Sequence, residues 1–344
     1  MMKARERFLN FLNHKPVDRP PVWLMRQAGR YLPEYLATRE KAQSFKNLCY
    51  DSQLACEVVL QPLKRFDLDA AIVFADILNL VEACGIEVEF HENVGPVVTK
   101  PFRTLIDGER LKPLDHKLDS VLKTIQLIKE NAPEKGMIGF VGSPWTLACY
   151  AVEGKITKDL KHIKRLLYQD PQTLNILLNH FTQSAIQFAQ QQIDAGCDCI
   201  VIFDTWGGYL ANDMFKQWSL SFQAQILDAL RPYPVFLFSR WSYANLNAIL
   251  ATKPAGICVD WTCPLQETLM LCQKKNILLQ GNFDPSILLA DNTSINAIVD
   301  QSLQPIKDHK NYLPSLGHGL MPHIDPSKVA HFIAYLKDYP WQLS

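Results

Sequence analysis

The 344 residues carry 35 Lys and Arg against 35 Asp and Glu, a formal net charge of zero, and 48% of them are hydrophobic. With no basic stripe, zinc-finger pattern or arginine-rich tail, this balance argues against a nucleic-acid partner, and the length suits two ordinary domains or one large α/β barrel. No apolar run is long enough to span a bilayer and the charged start Met1–Arg7 lacks a signal-peptide core, so a cytoplasmic protein without membrane contact is expected.

Eight short runs of strand character punctuate the chain. The first, Val22–Arg26, runs into Gln27, Ala28, Gly29 and Arg30, with Pro33 soon after. Gly29 and Pro33 argue against a regular helix, so the reading is a strand that delivers two arginines, four apart, into a loop. Arginine is a permanent cation whose planar fork grips a carboxylate through two hydrogen bonds, which makes an anionic ligand the first expectation. The second run is Ala70–Asp76; after it, Glu87–Phe90 and Val97–Lys100 alternate in type around Asn93, Val94, Gly95 and Pro96, as a short hairpin does. Gly136–Gly142 is third. Before the fourth, Asp198–Asp204, the residues Leu174, Leu177, Leu178, Phe181, Ala185, Phe188 and Ala189 recur at helical spacing behind the start signal Asp170-Pro171. Pro234–Ser239, Gly256–Trp261, Ile277–Phe283 and Tyr312–Gly317 follow, and Asp284-Pro285 and Asp325-Pro326 repeat the helix start signal after the last two.

Several runs are apolar throughout, as strands buried on both faces are, and the segments between them have helical periodicity. This alternation predicts a parallel sheet, and eight repeats predict an α/β fold closed into a single (β/α)8 TIM barrel, one domain over residues 1–344. A doubly wound open sheet is the alternative, but no Gly-x-Gly-x-x-Gly fingerprint follows any run. The nine cysteines are scattered in apolar runs and read as reduced core thiols; Cys197 and Cys199 share a strand face without a nearby histidine, a weak metal pattern.

Polar residues gather where the runs end: Arg26, Asp76, Ser143, Asp204 with Thr205, Ser239 with Arg240, Asp260, Asn282 and His318. In a barrel these ends surround one mouth, where barrel enzymes build their sites. Each residue also has a plainer reading. Asp76 serves as a helix cap, Asp204 and Thr205 as caps, Tyr150 as core, and His318, between Gly317 and Gly319, as a structural ring bonded to backbone. Ser143-Pro144 lacks the elbow of a hydrolase nucleophile. Together the ends describe a mouth with an inward carboxylate, two arginines, a histidine and hydroxyls, suited to an organic acid that brings its own reactive ring or carbonyl.

Over nearly its whole length the chain resembles the uroporphyrinogen decarboxylase family. The resemblance rests on Pro21–Tyr35, Phe74–Leu78, Gly142–Leu147, Ile202–Trp206, Gly281–Pro285 and Leu316–Gly319, in that order. It implies a (β/α)8 barrel, a homodimer, no metal and no organic cofactor, and conversion of the four acetate side chains of uroporphyrinogen to methyls with loss of carbon dioxide. It also implies that Arg26, Gln27, Ala28, Gly29, Arg30, Asp76, Tyr150, Thr205 and His318 bind the tetrapyrrole substrate, with Asp76 and Arg26 catalytic. Ser315, Phe283 and the stretch from Ser239 to Tyr243 depart from the family's usual residues, and the last puts the cleft shape and isomer preference in question. Two rivals share parts of this pattern. A corrinoid-dependent methyltransferase of the same superfamily requires zinc ligands that this sequence does not gather near His318, and a non-catalytic tetrapyrrole carrier has no use for Asp76.

Overall fold

The structure is a computed structural model, and it describes residues 2–91, 95–241 and 243–343. The expected hairpin turn at Asn93 and Val94, and Ser242 of the fifth loop, lie outside the described residues. In chain order the strands are β1 (Ala70–Ile72), β2 (Val88–His91), β3 (Gly95–Val98), β4 (Gly136–Gly142), β5 (Cys199–Asp204), β6 (Val235–Ser239), β7 (Gly256–Cys258), β8 (Leu278–Phe283) and β9 (Tyr312–Leu316). Seven of them form one parallel sheet in the order β1-β4-β5-β6-β7-β8-β9, while β2 and β3 pair antiparallel as the expected hairpin. Because successive sheet strands are separated by helical connections, neighbours in sequence are neighbours in space, which is the barrel order.

Val22–Arg26 is not a strand: Val22 to Leu24 pass buried between β1 and β9 without a ladder, and buried Met25 already enters a turn. Val22 O accepts from Asp69 N at 2.9 Å, Ser315 Oγ donates to Trp23 O at 2.9 Å, and Leu320 N donates to Met25 O at 3.1 Å. Pro20 and Pro21 bring no N–H, and the N–H of Leu24 is taken by Gln27 Oε1 at 3.2 Å, so too few donors remain for regular pairing. The segment still occupies the eighth stave and closes the curled sheet into a (β/α)8 barrel.

Its entry is fixed by charge. Asp69, 1% exposed, accepts from Arg7 Nη1 at 2.7 Å, from Arg19 Nη1 at 2.7 Å and from Val22 N at 2.8 Å. A carboxylate this buried is tolerable because every lone pair in use meets a cation or an N–H. β1 and β7 are shorter than expected, stopping at Ile72 and Cys258; Val73 and Val259 still donate to Ile138 O and Gln280 O of the neighbouring strands, and the chain leaves the sheet after them.

The helix starts largely follow the chain's signals. Asp170 caps Pro171–Asp194 by accepting from Thr173 N at 3.1 Å, and Asp325 caps Pro326–Asp338 by accepting from Ser327 N at 2.8 Å. Asp284-Pro285 instead starts only the 3-10 turn Pro285–Leu289; the long helix after β8, Asn292–Leu303, is capped by Asp291 through Ser294 N at 2.8 Å. Among the described residues no helix is long and apolar enough to cross a membrane. All nine cysteines are free and buried, and burial pushes the Cys197 and Cys199 thiols up, as inert core thiols require.

Candidate active site

The polar strand ends divide into two groups. Ser143, Asp204, Asp260 and Asn282 hold the loops together. Asp204, fully buried, accepts at Oδ1 from Ser143 Oγ (2.7 Å), Thr146 Oγ1 (2.8 Å) and Gly207 N (3.1 Å), and at Oδ2 from Ser219 Oγ (2.7 Å) and Gln223 Nε2 (3.1 Å). Burial pushes its carboxyl up, and those donors draw it back. Asp260 Oδ2 accepts from Trp241 N at 2.6 Å, and Asn282 Nδ2 donates to the carbonyls of Asp260 and Cys263 at 3.1 and 2.7 Å. These bonds fasten the end of β4 to that of β5, and the loop after β7 to the loop after β6 and to β8.

The second group faces the mouth. Gln27 N donates to Leu24 O at 3.1 Å, closing a turn whose third residue, Arg26, has φ of 58°. A left-handed backbone is uncommon at a residue with a side chain, and here it throws the arginine stem out of the stave's line into the mouth. The positive φ falls on Arg26 itself; at Gly29, a Cβ would meet Arg26 O at 3.3 Å, so that glycine serves close packing of the loop. Gln27 is 1% exposed and its Nε2 donates to Ala70 O at 3.1 Å, while Tyr31 Oη donates to Gln27 O at 2.7 Å. Its side chain therefore ties the arginine loop to β1 rather than facing the mouth. Ala28 and Gly29 are half-buried; Arg30 is exposed, and its charge bears on Tyr35.

Asp76 lies four residues beyond β1 and is half-buried. Its own N–H donates to Asn79 Oδ1 at 2.7 Å, and Oδ1 accepts from Leu78 N at 2.9 Å. The cap reading is thus correct for one oxygen; Oδ2 accepts no hydrogen bond from a described residue. Burial pushes this carboxyl above the usual range, the Leu78 N–H and the Arg26 charge draw it down, and Glu82 adds to the rise. Tyr150, in the helix Pro144–Glu153, is half-buried, and burial pushes its phenol up to about 12, with the Trp206 indole and Arg26 opposing. It is a neutral hydroxyl near pH 7. His318 is held down to about 4, first by burial and then by the charges of Arg26 and Arg240, so its ring is neutral as well. Thr205, just past β5, is half-buried and its hydroxyl makes no hydrogen bond to a described residue.

Arg26 is the common element: its charge is felt at Asp76, Tyr150 and His318. Gly319 makes room for it, since a Cβ there would stand 2.3 Å from Arg26 Cδ and 2.6 Å from Cγ. Beside these polar groups runs an arc of edge-on rings, Phe140 to Phe203 (5.6 Å between centroids), Phe203 to Phe238 (5.7 Å) and Phe238 to His318 (5.9 Å). Sequence reading missed this arc, along with Asn79, Gly319 and the orientation of Arg240. The phenylalanines lie inside apolar strands and carry no polar signal, whereas Asn79, three residues from Asp76, was within reach of a turn argument.

The ring arc, the Arg26 cation, the neutral groups of Tyr150 and His318 and the half-buried Asp76 lie together at the strand ends. The sequence model of the family described as uroporphyrinogen decarboxylase (URO-D) matches residues 3–339. The chain belongs to the uroporphyrinogen decarboxylase family. A uroporphyrinogen decarboxylase of Hydrogenovibrio crunogenus is 41% identical over 340 residues, 95% of each chain. One of Alcanivorax borkumensis is 41% identical over 337 residues, again 95% of each. Among solved structures, a methyltransferase from Methanosarcina mazei superposes with a TM-score of 0.80 at 20% identity, covering 98% of this chain and 99% of that one. A B12-independent methionine synthase from Shewanella sp. W3-18-1 gives 0.58 at 12% identity, with 93% of each covered. At such identities the two structures speak for the fold alone. Among the described residues no three of His, Cys, Asp and Glu cluster closely enough to hold a metal ion.

Proposed function

We propose that this protein is an enzyme, a carboxy-lyase, that converts the four acetate side chains of uroporphyrinogen III to methyls, giving coproporphyrinogen III and four molecules of carbon dioxide in porphyrin and heme biosynthesis. The observation that carries the reading is the shared field of Arg26 over Asp76, Tyr150 and His318, in a chain of this family.

Breaking the bond between an acetate methylene and its carboxylate leaves an electron pair that needs a sink. A pyrrole protonated on an α-carbon is such a sink: the pair flows into the cationic ring, carbon dioxide departs, the methylene takes a proton to become methyl, and the α-proton is lost. The substrate thereby supplies what an organic cofactor supplies in other decarboxylases. In this reading Asp76 serves this chemistry. Its unoccupied Oδ2 accepts the pyrrole N–H groups; those donors offset the desolvation that raises the carboxyl, so the bound state favours the ionised form. The carboxylate then stabilises the cationic ring as charge develops, a kind of interaction worth about 3–4 kcal/mol per group. Arg26 holds and orients the reacting acetate. Arg30, on the exposed side of the loop, receives an outer carboxylate, and Tyr150, Thr205 and neutral His318 donate hydrogen bonds to others. Gln27, Ala28 and Gly29 contribute by shaping and fixing the loop that carries both arginines. The phenylalanine arc takes the apolar face of the macrocycle.

The matched span of 3–339 and the one seven-stranded parallel sheet support treating residues 1–344 as one barrel domain. The reading also carries a cytoplasmic homodimer that works without metal or organic cofactor; sedimentation equilibrium checks the dimer, and metal analysis of the purified protein checks the metal. The deciding experiment is anaerobic incubation with chemically reduced uroporphyrinogen, measuring carbon dioxide against coproporphyrinogen. Four to one is expected. Tight binding without gas release would make the protein a carrier instead.

A further inference from the structure

One cation of the mouth has no place in the site just described. Arg240 follows β6, which stands four staves round from Val22–Met25 and therefore across the mouth from Arg26. Its backbone is held firmly. Arg240 N donates to Asp204 O at 3.2 Å, Trp241 N donates to Asp260 Oδ2 at 2.6 Å, and the Arg240 carbonyl comes so close to Gly208 that a Cβ there would lie 2.1 Å from it. Trp241, with φ of 55°, folds back so that the guanidinium carbon of Arg240 stands 4.1 Å from the centroid of its ring, and Tyr209 packs against the same indole at 5.0 Å.

What the guanidinium lacks is an anion. Arg5, Arg7, Arg19, Arg65, Arg110 and Arg231 each close on a carboxylate of this chain. Arg240 closes no ion pair with a described residue, and its Nε is buried with no hydrogen-bond partner. Its charge instead bears on His318. A desolvated N–H without an acceptor is costly, and a stacked guanidinium is pre-organised to receive a planar oxyanion.

We infer that Arg240, held by Trp241, binds a carboxylate of the tetrapyrrole on the side of the macrocycle away from Arg26, so that cations on opposite staves clamp the ring between them. The inference rests on the proposed substrate class. Arg240 is a binding residue, and its contact is the same before and during bond breaking, so its loss raises KM rather than lowering kcat.

The test compares Arg240→Gln and Arg240→Met, which remove the charge from stems of different chemistry, with Arg240→Lys. Two readouts are used: steady-state kinetics with uroporphyrinogen, and fluorescence titration with the oxidised, unreactive octacarboxylate uroporphyrin. The charge-removing variants are expected to raise KM and the uroporphyrin Kd about tenfold, the size of one charge-assisted hydrogen bond, with kcat within about twofold. Arg240→Lys recovers part of that loss, because an ammonium keeps the charge but not the fork. A Kd within twofold of the parent overturns the inference, as does a loss confined to kcat. Unfolding of both charge-removing variants overturns it too, since it would give Arg240 a structural role. A parent protein that binds uroporphyrin through Arg240 yet releases no carbon dioxide refutes the decarboxylase reading and leaves this inference standing.

Discussion

Replacing Gly319 with alanine tests whether the placement of Arg26 governs turnover. The new Cβ would lie 2.3 Å from Arg26 Cδ, 2.6 Å from Cγ and 3.0 Å from Nε. Carbon atoms rest at about 3.5 Å or more, so the arginine stem must retreat by roughly 1.2 Å. The backbone at residue 319 does not require a left-handed conformation, and Arg26 is exposed enough to swing aside, so the fold tolerates the change. Catalysis does not, because a misplacement of about 1 Å in a positioning group costs on the order of a hundredfold. The expected result is a fall of about two orders of magnitude in kcat/KM with a melting temperature within about 2 °C of the parent. Because the effect runs through Arg26, the double variant with Arg26→Ala should be no worse than Arg26→Ala alone. Additive losses, or a kcat/KM within threefold for Gly319→Ala, would refute the reasoning. Gly317→Ala serves as the contrast: its Cβ would strike the backbone of Asp260 and Trp261 at 2.8 and 2.9 Å, which cannot swing away, and the cost should appear in stability.

Two further outcomes follow from the electrostatics. Asp69→Asn leaves Arg7 and Arg19 without their shared buried anion, and removal of one partner from such a cluster costs about 3–5 kcal/mol; a loss under 1 kcal/mol in urea unfolding would show that the cluster does not hold the first stave. His318 is held down to about 4 from 6.5, so across that window the unfolded chain binds a proton that the folded chain refuses. Stability therefore rises with pH over the window and is lost on acidification. His318→Gln should flatten its share of the fall in melting temperature between pH 6.5 and 4.5, with His180, also pushed down by burial, supplying another share. An identical fall in the variant would contradict the burial of a neutral ring.

Strand positions were legible because parallel strands buried on both faces leave apolar runs such as Ile200–Phe203 and Val235–Phe238 that no exposed segment resembles. The first stave misled for a local reason: its apolar run looks like a strand, but Pro20, Pro21 and the Gln27 side chain remove the donors a ladder needs. Gathering at strand ends located the mouth, yet could not separate Asp76 from Asp204. That distinction depends on Ser143 and Ser219 reaching Asp204 from other elements, and such partners are separated by up to 61 residues in sequence. The tie made by the Gln27 side chain was illegible for the same reason, since nothing in the loop's composition announces that its amide reaches Ala70.

The central claim is that an ionised Asp76 stabilises a protonated pyrrole. Its most direct test is the turnover of Asp76→Asn with anaerobically generated uroporphyrinogen, measured as carbon dioxide released per second at saturating substrate. Asparagine keeps the shape and the Leu78 hydrogen bond but carries no charge and presents an amide nitrogen where Oδ2 accepted the pyrrole N–H groups, so kcat should fall by about 10² to 10³. Near-normal turnover by this variant would contradict the account.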